Sequence, residues 1–85
     1  MDKGIQNIFQ NNELSSENTL LLLLKERIAY LIDHDFSGLM THFYLVDVDE
    51  NQVQYFLQTY TGDLLLEKLA RLIIDRTLKK KSNWD

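Results

Sequence analysis

Thr19-Leu20-Leu21-Leu22-Leu23-Leu24-Lys25-Glu26-Arg27-Ile28-Ala29-Tyr30-Leu31-Ile32-Asp33 decides the fold. Leu20, Leu21, Leu24, Ile28, Leu31 and Ile32 fall within an arc of about 120° at 100° per residue, so the stretch reads as one amphipathic helix with a core face. It does not read as a membrane span. Lys25, Glu26 and Arg27 interrupt the apolar run from Thr19 to Leu24, and a span needs about 20 apolar residues. Nor does it read as a signal peptide, because the run starts late and no small-residue cleavage site follows it. The spacing predicts a helix over 17–33, with Ser16 or Asn18 as its cap.

Working outward, Asp35 is a good N-cap for a helix over 36–46. Phe36, Leu39, Met40, Phe43 and Tyr44 follow the i, i+3, i+4, i+7, i+8 pattern of a buried stripe, and His42 falls at the edge of the polar side. Asp49 followed by Gln52 fits a capping box for a short helix over 50–59, with Val53, Phe56, Leu57 and Tyr60 inward. Gly62 punctuates that helix and Asp63 caps the next, over 64–80. There Leu65, Leu66, Leu69, Ala70, Leu72, Ile73 and Ile74 spread over about 200°, which implies contact on more than one side. The expected fold is all-α: a bundle of four helices, the third short, forming a single helical domain over 19–85. Residues 1–18 are a polar leader, rich in Asn, Gln and Ser and expected to be loosely ordered.

Composition narrows the chemistry. The chain has 85 residues, 45% of them apolar and 26% charged, which are globular proportions. It lacks cysteine, which excludes disulfides and thiolate chemistry, and it lacks proline. Asp47, Asp49 and Asn51 imitate the first ligands of a calcium loop, but Gln52 and Gln58 stand where that loop needs glycine and a bidentate glutamate. Asp33, His34 and Asp35 form a polar corner without the three spaced ligands of a catalytic zinc site. Ser15, Ser16, Ser37 and Ser82 sit at caps or tails with no G-x-S-x-G around them. No catalytic residue, metal or cofactor is expected, and the chain reads as a non-enzyme.

Charge is unevenly spread. Residues 47–63 sum to −4 and residues 64–85 to +3, within a net charge of −4. An acidic middle and a basic end suggest internal or intersubunit attraction more than a polyanion surface. Arg71, Arg76, Lys79, Lys80, Lys81 and Trp84 form the one basic feature. The helix–turn–helix succession over 34–63 carries acids where a recognition helix needs cations.

The run Ile28-Ala29-Tyr30-Leu31-Ile32-Asp33-His34-Asp35-Phe36, with Phe43-Tyr44-Leu45-Val46-Asp47-Val48-Asp49-Glu50 and the terminal Ala70-Arg71-Leu72-Ile73-Ile74-Asp75-Arg76, resembles a small family of bacterial all-helical proteins. The likeness covers about residues 20–81. It implies a cytoplasmic helical domain and carries over no catalytic residue. This chain departs from the family at Leu45, where the family has a basic residue.

Apolar positions left over after the core is filled point to self-association. Leu22, Leu23 and Tyr30, with Arg27 among them, lie off the core face of the 17–33 helix. Leu65 and Leu72 are the matching excess on the last helix. The expectation is a homodimer joined through these six residues and serving protein–protein interaction. In the alternative, the leader folds back through Ile5, Ile8 and Phe9 and covers the patch within one chain. The second function reading is a small nucleic-acid-associated regulator that uses the basic C-terminal end.

Overall fold

The computed structural model describes residues 2–12 and 15–78. They form five helices in the order α1 (Lys3–Asn11), α2 (Glu17–His34), α3 (Phe36–Leu45), α4 (Glu50–Thr59) and α5 (Gly62–Leu78), and the described residues contain no strand. The all-α expectation holds, and the count of four is corrected to five. The extra helix comes from the polar leader. Asp2 caps it by accepting from the Ile5 N–H at 2.9 Å, and Ile5 is fully buried. A nine-residue helix is marginal alone, so α1 depends on the body it packs against.

Caps set the other boundaries. The Ser16 hydroxyl accepts from the Thr19 N–H at 3.2 Å. Asp35 makes the corner between α2 and α3. Its N–H donates to the Leu31 carbonyl at 2.8 Å, closing α2, and its carboxylate accepts from the Gly38 N–H at 3.0 Å, opening α3. α3 ends in a Schellman arrangement, with the Val48 N–H on the Phe43 carbonyl and the Asp47 N–H on the Tyr44 carbonyl. Asp47 takes the left-handed conformation there, at φ 65°. The Asp49 carboxylate accepts from the Asn51 N–H at 2.9 Å to start α4. Asp63 is not the cap expected of it. α5 begins two residues earlier than expected, at Gly62 with φ 62°, and Asp63 instead accepts from the Lys25 ammonium at 2.8 Å. The expected end of this helix at Lys80 lies outside the described residues.

α2 and α5 pack most extensively and form the spine. Leu20, Leu24, Ile28 and Leu31 of α2 meet Leu69, Ala70, Ile73 and Ile74 of α5, and Ile5, Leu39, Phe43, Val48 and Val53 complete the core. The α3 stripe is the second correction. Leu39 and Phe43 are buried and Met40 is half-buried, but Phe36 and Tyr44 are exposed and His42 is buried. The buried arc of α3 is rotated toward His42 because α1 covers that flank, a cover that a four-helix reading lacks.

Candidate functional site

The six residues expected at an interface do not form one surface. Leu65 and Leu72 pack against the core. Leu65 also lines a shallow hollow between α2 and α5 with Ala29, Ile32 and Leu66, which the Lys25–Asp63 pair borders. Leu23 is half-buried. Leu22 is exposed, but Glu26 and Asp33 share its side of α2. Arg27 turns inward. Its Nε and Nη2 donate to the two oxygens of Asp2 at 3.0 and 2.9 Å, and its guanidinium lies 4.9 Å from the centre of the Tyr30 ring. Tyr30 in turn sits 4.5 Å from the His34 ring, while half its surface stays open. Part of the expected seam is therefore occupied by α1, which is the intrachain cover given as the alternative.

Gly4 makes that cover possible. A Cβ there would collide with the Arg27 guanidinium, so the bare backbone lets the side chain lie across α1. Four hydrogen bonds tie Asp2 to Ile5, Arg27 and His42. Its Oδ2 accepts from both the Ile5 N–H and Arg27, its Oδ1 accepts from Arg27, and its own N–H donates to Nδ1 of His42 at 3.3 Å. The Arg27 bonds hold the Asp2 carboxyl below the usual carboxylate range, against the opposing effect of burial. The same bonds raise Arg27.

His42 is 2% exposed. With Nδ1 accepting, the neutral ring carries its proton on Nε2, and that buried group has no partner. Burial lowers the His42 pKa, and the Asp2 charge opposes this. Beside His42 lies a cavity of about 330 Å³ between α1, α3 and α5, lined by Ile5, Phe9, Leu45 and Val46, with Arg76 and Thr77 on the α5 side.

The larger feature that sequence reasoning missed is on α3 and α4. Phe36, Met40 and Tyr44 recur every four residues and form one ridge, where a helix can receive a second helix. Tyr44 is 80% exposed and Leu45 beside it 48%. Behind the ridge, Phe43, Val48 and Val53 floor a groove of about 360 Å³, with Glu50 at its mouth. The signal was present as the same i, i+4, i+8 spacing, but a helical stripe does not say which of its members face the core.

Among the described residues, no three His, Asp or Glu side chains gather to hold a metal ion, and no helix is long and apolar enough to cross a membrane. Neither a protein-family profile, a curated protein nor a solved structure matches the chain. Function is therefore argued from geometry.

Proposed function

We propose that the protein is a non-enzymatic helical module that self-associates, and that the seam is the α3 ridge and not the α2 face. The observation that carries this reading is the exposure of Tyr44, 80%, at the C-terminal end of an apolar ridge beside an open apolar groove. Exposed apolar residues standing singly are ordinary, whereas a contiguous strip beside a groove marks an interaction surface. Leu45, next to Tyr44 in the chain, adds a further exposed apolar side chain.

Charge favours a second copy as the occupant. Glu50 lines the groove, and Asp49 precedes it in the chain. Arg76 of α5 is exposed and lines a separate cavity with Leu45 and Val46, the residues that follow Tyr44 in the chain. A two-fold axis through the strip would set each acidic corner against the partner's basic end, the self-complementarity that a symmetric dimer needs. The exposed parts of Phe36, Tyr44 and Leu45 with their neighbours amount to several hundred Å² per subunit, on the order of the smaller specific interfaces.

Light scattering coupled to size exclusion tests this reading. We expect a concentration-dependent dimer that Tyr44→Asp converts to a folded monomer, while Leu22→Ser leaves the dimer intact. The opposite pattern would return the seam to α2.

The reading as a nucleic-acid-associated regulator has less support. Arg71 is already paired with Glu67 at 3.3 Å, and Lys79, Lys80, Lys81 and Trp84 lie outside the described residues.

A further inference from the structure

We propose that α1 is a proton-released strap: protonation of His42 expels the helix from its seat and leaves the α2–α5 body folded. The geometry at Nδ1 carries this inference. Among the described residues, the hydrogen bond made by the ring has His42 as acceptor and the Asp2 N–H, at the start of α1, as donor. A proton on Nδ1 turns that bond into two N–H groups facing each other. The second nitrogen is buried without a partner, so the cationic ring would have two unmet donors in a water-excluded place. His42 is 2% exposed, and α1 is part of its cover. Release of α1 lets water solvate the imidazolium.

The charges around the ring decide the sign. From α1, the Asp2 carboxylate favours the proton, but it is already committed to Arg27 of α2 and to the Ile5 N–H. From α5, the exposed Arg76 is the charged residue that lines the same cavity. α3 itself brings no charged side chain to the ring other than His42. Desolvation is the largest influence and favours the neutral form.

α1 can leave without the rest. Its attachments include Ile5, the half-buried Ile8 and Phe9, and the Asp2 contacts. Ile5 is its one fully buried member of the core, whose other members all lie on α2 to α5 or the turn before α4. Local opening of a weakly attached terminal element is the ordinary low-energy excitation of a small domain.

The test is amide exchange of the full chain by NMR between about pH 7.5 and about pH 5, with both histidine rings followed. Protection of the Ile8 and Phe9 amides is expected to fall about tenfold per pH unit below the ordinary histidine range, as uptake of one proton requires. The α2 and α5 amides should keep theirs. His34, which is exposed, serves as the internal control ring. In His42→Asn the side-chain oxygen stands where Nδ1 stood and can still accept from the Asp2 N–H but cannot titrate, and α1 should stay protected throughout. Wild-type α1 protection that does not change with pH would overturn the proposal, as would an equal loss in His42→Asn. If that variant does not fold, the wild-type titration decides alone: α1 opening must share its midpoint with the His42 ring and not with His34.

Discussion

Removing the Asp2 carboxylate should detach α1 and do little else. Asp2→Ala deletes the N-cap of α1, a loss of about 0.5–2 kcal/mol. It also deletes the bidentate pair with Arg27, in which the Asp2 side chain is 9% exposed and that of Arg27 is 31% exposed. Solvent screens a pair at that depth only in part, so its share is about 1 kcal/mol. Together these predict a local loss of about 1.5–3 kcal/mol. The effect on global stability is capped, however. Once α1 has lifted, nothing further can be lost, so the unfolding midpoint can fall only by as much as α1 docking contributes. Urea denaturation followed by circular dichroism should show a lowered midpoint and a smaller slope, because less surface is buried at the start. Amide exchange should place the damage in Ile8 and Phe9. The pH dependence follows from the same contacts. The Asp2 pKa is lowered while α1 is docked, so within the docked state its contribution is present above the ordinary aspartate value and is lost as pH falls through the lowered one. The Asp2→Ala variant should lack that part of the acid sensitivity. An unchanged urea midpoint together with unchanged α1 protection would refute the central place given to Asp2.

Three further outcomes are expected. Asp35→Ala removes the carboxylate that accepts from the Gly38 N–H at 3.0 Å, and should lower stability by about 0.5–2 kcal/mol in urea melts; addition of a chelator to the wild type should not shift its melting temperature. Gly62→Ala meets no steric neighbour, but its φ of 62° is left-handed, so thermal melts should show a loss of about 1 kcal/mol. Heparin chromatography at physiological salt should show no retention, whereas salt-sensitive binding that is abolished by replacing Lys79, Lys80 and Lys81 with Gln would favour the nucleic-acid reading.

The parts of the fold that were legible in the sequence are those fixed locally. Ser16, Asp35 and Asp49 announce helix starts through their own side chains, and the α2 stripe of Leu20, Leu24, Ile28 and Leu31 is narrow enough to name its buried face. The parts that were not legible depend on α1. Ile5, Ile8 and Phe9 have helical spacing, but a helix this short is decided by its partner, and nothing local to the leader shows that Arg27 waits 25 residues away to receive Asp2. Because α1 then covers one flank of α3, His42 becomes buried and Phe36 and Tyr44 become exposed. One long-range ion pair thus inverts the reading of a stripe on a different helix. The candidate interface was legible only as an excess of apolar residues. Sequence counting found the surplus; packing buries part of Leu65 and Leu72, ties Arg27 to Asp2, and leaves Phe36 and Tyr44 exposed.

Sedimentation equilibrium of the wild type and of Tyr44→Asp, each at low and high micromolar concentration, tests the central claim most directly. A wild type that reaches twice its subunit mass at the upper concentration, and a Tyr44→Asp variant that stays at one subunit mass with unchanged helical circular dichroism, is the result predicted here. A wild type that remains monomeric at high micromolar concentration would contradict it.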